Sequence, residues 1–195
     1  MRFDTDAALP QRLIALARAS PWFMEALVAV RGLGLPAWCI GAGAVRTLVW
    51  DALHLNTNRT VLADVDVVYF DANHLAPAQD ADYLARLTAL CPHLPWEVCN
   101  QASVHTWFEA CFGHPVEPLV SLEDAVASWP EYATCVGLRF EKDDSLTVIA
   151  PYGLVDLFNC VIQRNPRRVS LETYRQRVAQ KRYAERWPNV RVLME

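Results

Sequence analysis

The chain has 195 residues, 53% of them hydrophobic and 21% charged, with a formal net charge of −4. That length suits one domain with a sizeable core, and that composition excludes a disordered chain. The acidic balance argues against a general nucleic-acid binder, and no apolar run approaches the ~18 residues of a transmembrane helix, so no membrane partner is expected. The opening Met1-Arg2-Phe3-Asp4-Thr5-Asp6 lacks the basic and apolar regions of a signal peptide. The six cysteines are scattered without C-x-x-C spacing, which suits reduced thiols and a cytoplasmic location.

In chain order, Pro10 to Ala19 carries Leu13, Ile14 and Ala17 at helical spacing. Pro21 to Val30 reads as a second helix, with Ser20 as N-cap and Pro21 in the first position. Gly32-Leu33-Gly34 stops it, and Pro36 prevents its restart. Both helices are expected to cover a sheet. A short apolar strand then ends at Ile40, and Gly41-Ala42-Gly43 makes a turn with almost no side chains. Ala44 to Leu55 places Val45, Leu48, Val49, Ala52 and Leu53 on one helical face. After a polar loop, Ala63 to Phe70 is β-branched and aromatic and reads as a central strand.

Asp64 and Asp66 sit at the start of that strand with one residue between them, so they project from the same face. Two like charges there resist burial, and a hard cation such as Mg²⁺ or Mn²⁺ is the usual remedy. The turn upstream supplies a second element. A helix N-terminus bare of side chains lets phosphate approach backbone N–H groups, which suits chemistry on a nucleoside triphosphate (NTP). Asp71 has the opposite parity and is not expected to be a ligand. Gln79 to Leu90 reads as a helix and Trp96 to Asn100 as a strand expected to pair with the D-x-D strand. Asn100, Gln101 and His105 are polar in an apolar region. They either contact a base or sugar or fix a loop.

Ser121 to Asp124 has a capping-box pattern, opening a helix that ends near Trp129-Pro130. Ala133 to Phe140 and Leu146 to Ile149 read as a β-hairpin. The turn at Pro151-Tyr152-Gly153 offers Tyr152 for stacking on a base, and Asp156 for a basic group or an N-cap. From Arg164 onward nine residues are basic and three acidic. This segment either meets a triphosphate or RNA, or packs against the acidic body. Leu171 to Trp187 is expected to be a largely solvated helix bearing Arg175, Lys181, Arg182 and Arg186. The whole reads as a single domain, 1–195, with a basic helical segment at about 164–195, and as an α/β (α+β) fold with a small mixed sheet.

The stretch Trp38–Asp71 resembles the DNA polymerase β-type nucleotidyltransferase superfamily, and most of all the head domain of CCA-adding tRNA nucleotidyltransferases. Gly41-Ala42-Gly43-Ala44-Val45-Arg46 takes the place of their G-G-x-V-R-D turn, and Asp64-Val65-Asp66 that of their carboxylates. Thr47 stands where those enzymes have an acid. Over nearly its full length the chain is similar to a bacterial family of nucleotidyltransferase-like proteins sharing W-E-V-x-N-Q-x-x-x-H, here Trp96–His105, and A-P-Y-G-L-x-D-L, here Ala150–Leu157. The resemblance implies a third carboxylate on the neighbouring strand, Glu97, completing a catalytic and metal-binding set with Asp64 and Asp66. It places Gly41, Gly43 and Arg46 at the triphosphate. The implied reaction moves a nucleoside monophosphate from an NTP to the hydroxyl of a small molecule, RNA or protein. Two alternatives stay open: a non-catalytic nucleotide- or RNA-binding module, and a partner-binding protein. The chain shows no counterpart of the long helical body that CCA-adding enzymes use on tRNA, so tRNA is not implied.

Overall fold

Two short helices, α1 (Leu9–Ala19) and α2 (Pro21–Gly32), begin the fold in a computed structural model that describes residues 6–194. The reading of the first five residues as free of a signal sequence, and the last residue of the basic segment, Glu195, lie outside the described residues. Ser20 separates the helices by its extended backbone; its side chain makes no cap, and Pro21 starts α2 with its φ already set for a helix. The two helices are bent by 93° against each other, and among the described residues no single helix is long and apolar enough to cross a membrane. Leu13, Ala17, Phe23, Leu27 and Val30 are fully buried.

The next unit is β1 (Trp38–Gly41), α3 (Ala42–Leu53) and β2 (Val65–Tyr69). β1 and β2 are antiparallel, with Cys39 opposite Val68. Helix α4 (Pro77–Leu90) then crosses over to β3 (Trp96–Asn100), which lies parallel to β2. A parallel neighbour requires such a crossover. The register sets Asp66 directly opposite Glu97. A 3₁₀ turn at Gln101–Thr106, α5 (Phe108–Phe112) and α6 (Leu122–Val126) follow. Ser121 caps α6 as its motif predicts, accepting from the Asp124 backbone N–H at 3.1 Å.

The hairpin is β4 (Gly137–Phe140) and β5 (Leu146–Ile149). It starts later than the sequence predicts because Tyr132–Thr134 coils into a 3₁₀ turn around the buried Glu131. The five strands run in the order β3-β2-β1-β4-β5, so β1 is the middle strand and the D-x-D strand is one place off centre. After α7 (Val155–Phe158), a two-stranded parallel ribbon of β6 (Val161–Ile162) and β7 (Arg191–Val192) encloses α8 (Leu171–Lys181) and α9 (Tyr183–Arg186). The single helix expected over Leu171–Trp187 is broken at Arg182, which takes a left-handed conformation at φ 49°. The break turns Tyr183 and Trp187 inward against Trp50 of α3, in edge-on ring pairs at 5.9 and 5.1 Å. Trp187 also donates from its indole nitrogen to Asp51 at 2.8 Å. The C-terminal segment is thereby fastened to α3, the helix behind the glycine turn.

Gly41 ends β1 where a side chain has no room: an added Cβ would lie 2.4 Å from the Trp129 ring and 3.0 Å from the Val136 carbonyl oxygen. Gly41→Ala is expected to cost about 1–3 kcal/mol through overpacking, read as a lower midpoint in urea unfolding.

Candidate metal and nucleotide site

Asp64 immediately precedes β2, after a bend at Ala63, Asp66 is the second residue of β2, and Glu97 the second of β3. Two-residue periodicity and the parallel register bring all three carboxylates to one face of the sheet. Each offers an oxygen, and these oxygens lie within 4.8 Å of one another. Asp64 and Asp66 are half-buried and Glu97 is exposed. Burial, and then the charges of Asp64 and Glu97, push the Asp66 carboxyl up to about 7. Three hard oxygen donors repelling one another fit a divalent cation better than they fit one another. Among the described residues this is the one group of three or more His, Cys, Asp or Glu side chains placed to hold a metal.

The carboxylates open into a cavity of about 770 Å³. Its floor is the sheet, with Val67, Val68 and Cys99 beside the acids. Ala42, Gly43 and Arg46 at the start of α3 form one side. Gly43 leaves the space between Asp64 and Arg46 clear, since a Cβ there would sit 3.4 Å from Asp64 Oδ1 and 3.7 Å from Arg46 Nη2. Gly41 does not line the cavity; it lies beneath the turn, against Trp129. Ala42 takes φ 47°, a left-handed conformation that costs an alanine about 1–2 kcal/mol.

Arg46 makes no salt bridge to Asp64 or Asp66. Its guanidinium lies over three rings, 5.0 Å from Tyr183 and 5.5 Å from Trp50 and Trp187. It is buried, and its Nε and Nη1 have no hydrogen-bond partner among the described residues. A guanidinium carried this deep is held by cation–π contacts, with two of its donor nitrogens unpaired among the described residues.

The remaining walls come from segments whose roles the sequence leaves open. Trp107, Phe108, Phe112 and His114 follow β3, and α8 presents Gln176, Arg177, Gln180 and Lys181. As expected, α8 is largely solvated, Tyr174 being its one buried residue; part of that solvated surface lines the cavity, which the sequence reading does not indicate. Arg177 donates from Nε to Glu131 at 2.5 Å, and Glu131, wholly enclosed, also accepts from Tyr183 at 3.1 Å and Thr134 at 2.9 Å. Burial first, then the Arg177 charge, holds the Lys181 ammonium below its ordinary range, while Asp64 and Asp66 pull the other way. A polar face at 173, 176, 177, 180 and 181, opposite Tyr174 and Val178, is the signal in the sequence that would have found this wall.

The other polar candidates divide. Gln101 lines the cavity. Asn100 fixes a loop, accepting from the Asp71 N–H at 3.0 Å and donating to the Asp71 and His74 carbonyls at 2.8 Å each. Asp71 pairs with His74 rather than with the acidic cluster. His105, Tyr152 and Asp156 lie outside the cavity lining; Tyr152 donates to the Ala127 carbonyl at 3.0 Å and stands edge-on to Tyr132.

A fold of this kind matches solved structures of one class. An NMR structure that reveals a CCA-adding enzyme head domain superposes with a TM-score of 0.80 at 28% identity, covering 94% of this chain and 95% of the other. A CCA-adding enzyme in complex with CTP matches with a TM-score of 0.55 at 12% identity, and the Thermotoga maritima CCA-adding enzyme complexed with tRNA with 0.53 at 14%. Each of these two is covered over 94% of this chain but only 43% and 42% of its own length, so the chain spans under half of them. The fold is that of a nucleotidyltransferase head domain. A nucleotidyltransferase family model matches residues 28–192, and the chain belongs to that family. No curated protein matches it significantly.

Proposed function

We propose that the chain is a metal-dependent nucleotidyltransferase. It would move a nucleoside monophosphate from an NTP to an acceptor hydroxyl and release pyrophosphate. The observation that carries the reading is the convergence of Asp64, Asp66 and Glu97 within 4.8 Å at the floor of a cavity large enough for a nucleotide. Mg²⁺ or Mn²⁺ held there would offset phosphate charge and lower the pKa of the attacking hydroxyl. The chain's own residues do the positioning. Gly43 leaves the N-terminal N–H groups of α3 open to the phosphates, and Arg46 presents an unpaired donor fork beside them. Glu97 is the most exposed of the three acids, and an acceptor hydroxyl would approach the metal from its side. Gly41 supports the turn from below. All six cysteines are free, in keeping with a reducing compartment such as the cytoplasm.

Melting in the presence of ATP, CTP, GTP or UTP with Mg²⁺ or Mn²⁺ tests the reading. A nucleotide at about a hundred times its Kd adds roughly 2.7 kcal/mol, a shift of several degrees for a chain of this size. The expected outcome is a metal-dependent shift with at least one nucleotide, lost in Asp64→Asn/Asp66→Asn. No shift with any of the four would count against it.

A further inference from the structure

Helix α8 carries Thr173, Gln176, Arg177, Gln180 and Lys181 at spacings of three and one, which puts them on one helical stripe, and all five line the cavity opposite the carboxylates. The helix cannot turn freely. Tyr174 anchors the other side through its hydroxyl, which donates to the carbonyls of Ile162 at 3.1 Å and Leu193 at 2.8 Å. Arg177 is fixed by the enclosed Glu131. Lys181, half-buried one turn further on, makes no ion pair or hydrogen bond among the described residues, although it lies in the field of Asp64 and Asp66.

The charges decide what such a stripe faces. The three acids contribute −3, and Arg46, Arg168 and Lys181 are the cavity cations without a carboxylate ion pair among the described residues, Arg168 donating to the Glu117 carbonyl and Arg177 being matched by Glu131. Two divalent ions on the acids would leave that side at +1 and, with Arg46, Arg168 and Lys181, the cavity at +4. That is close to the opposite of a nucleoside triphosphate, which carries about four negative charges. An NTP base or sugar has no charge for these cations to meet; the phosphate chain does. Gln176 and Gln180 beside them add amide donors that suit phosphate oxygens.

Resting on the function proposed above, we infer that the α8 stripe is the polyphosphate wall of the site: Lys181 contacts the phosphate chain directly, and Arg177, held by Glu131, stands behind it. The site is then completed by the C-terminal segment and not by the D-x-D sheet alone.

The chain has only two lysines, Lys181 and Lys142, the latter exposed in the hairpin turn. This allows a test on the intact wild-type protein. Inorganic tripolyphosphate with Mg²⁺ is added during limited acylation of lysines, and each site is read by mass spectrometry. Lys181 should label several-fold more slowly while Lys142 is unchanged. In titration calorimetry, Lys181→Ala should weaken Mg²⁺-tripolyphosphate binding about tenfold or more, as expected for a lost charge-assisted contact. Lys181→Arg should restore most of it, and Arg175→Ala, outside the cavity stripe, should bind as wild type. If nucleotide binds but Lys181 is neither protected nor needed, the α8 assignment is wrong and the nucleotidyltransferase reading stands. If the wild type binds neither tripolyphosphate nor any NTP, both fall.

Discussion

Replacing Asp66 by Asn is expected to make the metal-free protein more stable and to abolish its response to metal and nucleotide. Asp66 is the most confined of the three acids, and burial with two neighbouring carboxylates pushes its pKa up to about 7. The folded chain therefore holds this proton to higher pH than the unfolded chain does. Between about pH 4 and pH 7 the folded state binds more protons, so stability falls as pH rises through that window and is lowest above it. A shift of that size corresponds to about 2–4 kcal/mol at pH 8. Asparagine has nearly the same shape and cannot ionise. Urea unfolding at pH 8 without metal should show Asp66→Asn more stable than wild type by an amount in that range, with the advantage shrinking towards pH 4. Adding Mn²⁺ with a nucleotide should shrink the variant's advantage, because only the wild type gains. A variant that is destabilised at pH 8 would mean that the three acids do not strain one another.

Glu131→Ala should be among the most damaging single changes. The Glu131 side chain is fully enclosed and receives three donors, from Arg177, Tyr183 and Thr134. Removing a carboxylate from a buried pair leaves the opposite charge uncompensated, which costs about 3–5 kcal/mol. Arg177 is partly exposed and can turn towards water, so the lower end of that range applies. The change also frees α8 and α9 from the 3₁₀ turn at Tyr132–Thr134. Nucleotide affinity should fall along with the unfolding midpoint, although Glu131 never reaches the cavity. Glu131→Gln, which keeps the shape and an acceptor, should lose less of both.

The acidic site was legible because its signals are local. Asp64 and Asp66 share a face by strand periodicity, and Glu97 needed only one parallel pairing, across the α4 crossover, to join them. The capping motif at Ser121 and the early helices are local in the same sense. What the sequence hides is where the chain returns. An arginine-rich helix with a low density of apolar residues reads as solvated, and nothing at Arg182 marks a break, since neither glycine nor proline stands there. Only the docking of Tyr183 and Trp187 on Trp50 turns the preceding stripe towards the acids. The resemblance places Arg46 at the triphosphate. Its three-ring seat is built by residues about 140 positions apart in the chain, a separation at which spacing carries no information. Gly41 shows the converse: a glycine in a phosphate-type turn whose room is taken by Trp129.

The most direct test of the central claim is anomalous diffraction at the manganese edge from crystals grown with Mn²⁺ and a non-hydrolysable nucleotide. The predicted result is manganese density bounded by Asp64, Asp66 and Glu97, with the phosphate chain between it and the Arg46 and Lys181 side chains. Nucleotide bound elsewhere, or bound in the cavity with no manganese at the three carboxylates, would contradict it.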